Sequence, residues 1–98
     1  MKESHTQNIE GNSLEEAFGL VLRRLRQGCG LSQEALGFES GYHRTYISLL
    51  ERGRKSPSLQ TLFNLSGAMK IDPAELIRLV ADQTHERPSA STIPVNES

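Results

Sequence analysis

The sequence predicts an all-α fold of five short helices. Three observations carry this: apolar residues recur at helical spacing from Leu14 to Val80, cap signals cut that span into five segments, and no run alternates with the period of a strand. At 98 residues the chain has room for one small domain. The ordered domain is expected over residues 13–83. The segments 1–12 and 84–98 read as a flexible N-terminal arm and a flexible C-terminal tail, being polar and too poor in apolar surface to order alone.

Each helix has its own signals. In the first, Leu14, Ala17, Phe18, Val21, Leu22 and Leu25 fall on one stripe, Ser13 and Glu16 have capping-box spacing, and "GCG" at 28–30 stops it. Ser32 caps a short second helix, "QEALGFES", which Gly41 ends. A third runs from about His43 to Arg52, with Ile47 and Leu50 facing inward and Gly53 as terminator. After "RKSP", Ser58 caps a fourth helix that carries Leu59, Leu62, Phe63, Leu65 and Met69. Asp72-Pro73-x-Glu75 opens the fifth, with an N-cap, a proline in the first turn and an acid three residues past the cap. Leu76, Ile77 and Val80 are its expected inner face.

Composition removes several function classes. No apolar run is long enough to span a bilayer and no apolar leader follows a basic start, so a cytoplasmic protein is expected. Cys29 is the one cysteine, which excludes an internal disulfide, and His5, His43 and His85 lie too far apart for a metal site. No nucleophile has a histidine and an acid arranged beside it, and "GCGLS" lacks the length and lysine of a phosphate-binding loop. Neither an enzyme nor a cofactor is expected. The net charge of −1 says nothing for nucleic acid, but Arg44, Arg52, Arg54 and Lys55 lie within residues 41–60 against Glu51 alone.

Two short helices joined by a glycine turn form a helix-turn-helix, here the second and third helices. Leu36, Tyr42, Ile47 and Leu50 would fill the space between them, Gly37 marks a close approach, and Gly41 suits a turn with positive φ. With Leu31-Ser32-Gln33, Gly41, Tyr46-Ile47-Ser48, Glu51-Arg52-Gly53, Pro57-Ser58-Leu59 and Thr61-Leu62 at these spacings, residues 14–80 resemble the lambda-repressor-like, Cro-type helix-turn-helix proteins, also called the XRE family. Two positions depart from the family pattern. Ser40 stands where an apolar residue is common, and Leu49 stands where a polar base-reader is common.

The resemblance implies a sequence-specific DNA-binding transcriptional regulator, a repressor or controller, whose third helix enters the major groove. Arg44, Ser48 and Arg52 share a helical row, with Thr45 and Leu49 beside it. Arg44 would read guanine, Thr45 and Ser48 base edges or phosphates, Leu49 a thymine methyl, and His43 a phosphate or base. Gln33 at the start of the second helix, and Arg54 and Lys55 with Ser56 in the loop, would hold phosphates. Arg26 matches the family's basic partner of Glu51, so the two are expected to form an architectural ion pair. One such unit buries little DNA, which implies a homodimer on a two-fold operator. Leu65, Ile77 and Leu79 are the expected dimer surface. The alternatives are an antitoxin that binds a small partner protein and autoregulates, and a restriction-modification controller.

Overall fold

A computed structural model describes residues 13–84 of the chain; the arm expected at 1–12 and, Thr84 apart, the tail expected at 84–98, with His5 and His85, lie outside the described residues. Five helices follow one another: α1 Leu14–Gly28, α2 Gln33–Ser40, α3 Arg44–Glu51, α4 Leu59–Met69 and α5 Pro73–Gln83. Among the described residues there is no strand, no helix long and apolar enough to cross a membrane, and no cluster of potential metal ligands.

The helix starts are chemical. Ser13 accepts from the Glu16 amide while the Glu16 carboxylate accepts from the Ser13 amide, closing the capping box of α1. Ser32, Ser58 and Asp72 cap α2, α4 and α5 through their side-chain oxygens, and Pro73 occupies the first turn of α5. The ends are less uniform. Gly41 closes α2 in the left-handed region at φ 88°, but α4 ends on Lys70 at φ 59°, a non-glycine residue in that region.

The core takes Ala17, Phe18, Val21 and Leu22 from α1, Leu36 from α2, Ile47 and Leu50 from α3, Leu65 and Met69 from α4, and Leu76 and Val80 from α5. α1 packs on α3 and α5, and α2 on α3 and α4. Burying each large aliphatic side chain contributes about 1.5–3 kcal/mol, so a domain this small depends on every one. Some expected inner residues lie outside. Leu14 is 64% exposed, Leu59 72%, Phe63 54% and Ile77 47%. On α4 the buried row is Thr61, Leu65, Ser66 and Met69, so its inner face includes two polar residues and leaves out Leu59 and Phe63. Leu65, expected at a dimer surface, has no exposure. It lies four residues from Thr61 and four from Met69, in the middle of the inward row, and so cannot contribute outer surface.

Two glycines let helices approach closely. A Cβ on Gly37 would collide with the Tyr42 carbonyl oxygen, and one on Gly19 would lie 2.6 Å from the Leu50 carbonyl oxygen. α1 therefore meets the end of α3 backbone to backbone at Gly19. Gly19→Ala should destabilise the fold by about 1–3 kcal/mol, because the added methyl meets carbonyls that cannot step aside. Gly28→Ala, where a Cβ would meet nothing, should be neutral or gain up to about 1 kcal/mol. Urea denaturation of both variants checks the contrast.

Candidate nucleic-acid interface

The α2–α3 unit is held at its turn by backbone bonds. The Gly41 and Tyr42 amides both donate to the Gly37 carbonyl, at 2.8 and 2.7 Å. Ser40, polar where an apolar residue is common, donates its hydroxyl to the Leu36 carbonyl at 2.7 Å, so the half-buried oxygen is satisfied within its own helix.

α3 starts on His43, whose Nδ1 accepts from the Thr45 amide at 3.0 Å. His43 is therefore the N-cap of α3, and only its other ring nitrogen is left for a phosphate or base. Ile47, Leu50 and Glu51 are buried. On the opposite side Arg44, Thr45 and Arg52 are exposed, and Ser48 and Leu49 are half-buried. Arg52 Nε donates to Ser48 Oγ at 3.3 Å along the helical row. Leu49, half-buried, follows Thr45 by four residues and so lies one turn along the same side of α3. Arg44 Nη1 lies 3.9 Å from Glu34 Oε1 of α2, both side chains being largely exposed.

The two tyrosines of this region turn inward. Their ring centroids are 5.0 Å apart. The Tyr42 hydroxyl donates to Thr61 Oγ1 at 3.0 Å and accepts from the Asn64 amide at 2.9 Å. The Tyr46 hydroxyl lies 3.5 Å from the same Thr61 oxygen. These bonds tie the start of α3 to α4, and they explain why Thr61 is buried on α4.

Glu51 binds the unit to α1. Arg26 Nε and Nη2 donate to its two carboxylate oxygens at 2.5 and 3.0 Å, and Arg26 Nη1 donates to the Leu31 carbonyl at 2.8 Å. The Arg26 side chain is 10% exposed and that of Glu51 2%. Donation of its hydrogen bonds to the Glu51 carboxylate raises the Arg26 pKa above its ordinary value, so the guanidinium stays charged despite its burial. Gln33 Nε2 also donates to Glu51 Oε1, at 3.0 Å. Gln33 is expected at a phosphate because it stands at the start of α2, where free amides and the helix dipole favour an anion. Its side-chain amide is engaged by Glu51, so the expectation rests on the backbone amides at the start of α2.

The loop after α3 presents Arg54 and Lys55 as exposed side chains. Ser56 does not stand with them, because its hydroxyl donates to Glu15 Oε2 at 2.7 Å. That bond lowers the Glu15 carboxyl below its ordinary range and anchors the loop to α1. Arg23 was missed from the sequence. Its side chain is 59% exposed and its Nε lies 4.0 Å from Glu51 Oε1, so it adds a cation beside the start of α2. The only sequence signal was its place one helical turn before Arg26.

Leu14, Phe18, Pro57, Leu62, Ile77 and Val80, with Glu15 and Ser56 of the loop contact, line an apolar groove. Leu79 packs against the core and is half-buried. Of the three expected dimer-surface residues, Ile77 alone is open.

A family model described as Helix-turn-helix matches residues 22–76. Control protein C.BamHI of Bacillus amyloliquefaciens is 39% identical over 67 residues, which covers 67% of this chain and 83% of that protein. Among solved structures, the restriction-modification controller protein C.AhdI from Aeromonas hydrophila superposes with a TM-score of 0.62 at 45% identity, covering 63% of this chain and 94% of that one. The clp gene regulator ClgR from C. glutamicum superposes with a TM-score of 0.70 at 32% identity, covering 74% and 94%.

Glu51→Ala should cost about 3–5 kcal/mol of stability in urea denaturation, because it leaves the Arg26 charge buried without its partner. The double variant Arg26→Met with Glu51→Leu should recover most of that loss, since no buried charge then remains unpaired.

Proposed function

The chain belongs to the helix-turn-helix family, and from this premise we propose a sequence-specific DNA-binding transcriptional regulator that acts as a homodimer on a two-fold operator. The observation that carries the reading is the outer face of α3. Arg44, Thr45 and Arg52 are exposed on a helix whose other side is locked into the core. A helix held in this way can enter the major groove as a rigid body.

Each residue then has a task. Arg44 at the start of α3 reads a guanine, because its planar fork matches O6 and N7. Thr45 and Ser48 bond neighbouring base edges or phosphates, and Leu49 packs on a thymine methyl. His43 caps α3 and offers its second ring nitrogen to the backbone. Arg52, Arg54 and Lys55, with the first amides of α2 at Gln33, hold phosphates and set the register. Arg23 joins them from α1. Arg26 and Glu51 touch no base; they hold α3 at the angle that the groove requires.

Relatives named as control proteins favour a controller of gene expression within this class. Nothing in the names of these relatives supports the toxin-binding alternative. The reading assigns the protein no catalytic step and no cofactor, and puts its work with the DNA in the cytoplasm. Pairing of two copies is assigned to the groove beside Ile77. Its exposed apolar residues, Ile77 and Leu14, otherwise remain in water.

Selection of bound duplexes from random DNA tests the reading, and enrichment of no sequence at moderate salt would sink it. Arg44→Ala should lose preference at one position of each half-site, by about 1–3 kcal/mol. Arg54→Ala should weaken all sequences alike and reduce the salt slope by about 1. A uniform loss for Arg44→Ala would make it a phosphate contact instead. Ile77→Asp should shift the protein to monomer in sedimentation at micromolar concentration and weaken operator binding with it. A dimer that survives this change would move the interface elsewhere.

A further inference from the structure

Among the described residues, Arg52, Arg54 and Lys55 have no carboxylate within ion-pair distance, whereas Arg44 Nη1 lies 3.9 Å from Glu34 Oε1. Of the four cations in residues 41–60, the one assigned to base reading is thus the one with an acid facing it. Glu34 lies in the first turn of α2, where free amides and the helix dipole favour a negative charge. The Arg44 and Glu34 side chains are 65% and 79% exposed, so neither is there to stabilise the core, and an exposed pair of this kind adds little to folding.

Resting on the DNA-binding reading above, we infer that Glu34 is a positioning residue for base recognition: its carboxylate steers the Arg44 guanidinium toward the base edge and denies it to the phosphates. A guanidinium has five N–H donors. One edge can face a carboxylate while the others remain free for guanine O6 and N7. Holding the fork in one orientation reduces the freedom lost when it meets the base. The same carboxylate repels phosphate oxygens, so Arg44 is a poor generic cation for non-specific DNA. Removing the charge of Glu34 therefore raises binding to arbitrary sequence and leaves binding to the operator unchanged or weaker. The quantity that Glu34 controls is the ratio of the two affinities, not either one alone.

The test uses the full chain and two duplexes of equal length and composition: the sequence enriched by selection, and a scrambled one. The affinity ratio is measured at low and moderate salt for wild type, Glu34→Gln, Arg44→Ala and the double variant, with thermal melts to show that each is folded. Glu34→Gln should lower the ratio by about two- to fivefold, the range that a weak exposed pair supports. In the Arg44→Ala background the same change should leave the ratio where it was. An unaltered ratio in Glu34→Gln overturns the inference. So does a fall that persists without Arg44, since Glu34 would then act through the general field. A wild type with equal affinity for both duplexes overturns the regulator reading and this inference with it.

Discussion

The buried carboxylate of Glu51 is the interaction on which the geometry of this domain depends. It receives Arg26 from α1 through two bonds and Gln33 from α2 through a third, while it belongs to α3 itself. Three helices are therefore referenced to one group. The same Arg26 also holds the Leu31 carbonyl, which ties down the loop that leads into α2. A buried ion pair adds little net stability against an apolar substitute, because desolvation offsets the Coulomb attraction. Its value here is directional. Apolar packing tolerates small rotations of α3, whereas a bidentate guanidinium–carboxylate pair does not. For a helix meant to present side chains to base edges, angle matters more than depth of burial.

A second constraint acts from the other side. Tyr42 bonds Thr61 and Asn64 of α4, and the Tyr46 hydroxyl approaches Thr61. The start of α3 is thus anchored to α4 while its end is anchored to α1. Gly19 lets α1 approach α3 closely enough for the Glu51 pair to form, which is why a residue with no side chain stands in the middle of an otherwise well-formed helix. The exposed side chains Arg44, Thr45 and Arg52 are the remainder, the part of α3 that neither anchor consumes. The His43 cap fits this division, because it closes the first turn with a ring rather than with one of the outward side chains.

Much of the fold was legible because it was written in local chemistry. Ser13, Ser32, Ser58 and Asp72 are caps in the sequence and caps in the structure, and Gly41 ends α2 as a turn glycine should. What was not legible depended on tertiary partners. The sequence places Leu59, Leu62, Phe63, Leu65 and Met69 on α4 without saying which face inward. The hydroxyls of Tyr42 in the turn and Tyr46 in α3 meet a polar partner inside, and Thr61 takes that place. Once Thr61 faces inward, Leu65 and Met69 follow it, and Leu59 and Phe63 turn out. Lys70 in a left-handed conformation and Gly19 at a backbone contact carry no sequence signal of their own. In the candidate site, the outward side of α3 followed from helical spacing. The engagement of Gln33 by Glu51 and of Ser56 by Glu15 did not, since both rest on partners distant in the chain.

The charge count along the chain changes meaning in this light. Read linearly, Arg44, Arg52, Arg54 and Lys55 share their segment with one acid, Glu51. In the folded domain that acid is 2% exposed and neutralised by Arg26, so it subtracts nothing from the face that α3 presents. The acid that does reach this face comes from ten residues upstream, Glu34 on α2. The net charge of −1 hides both facts. A carboxylate in the basic segment serves the architecture, and one outside it stands beside Arg44, the cation proposed to read the base. The field that a DNA duplex would meet is set by the folded positions of these two acids, not by the sum over the chain.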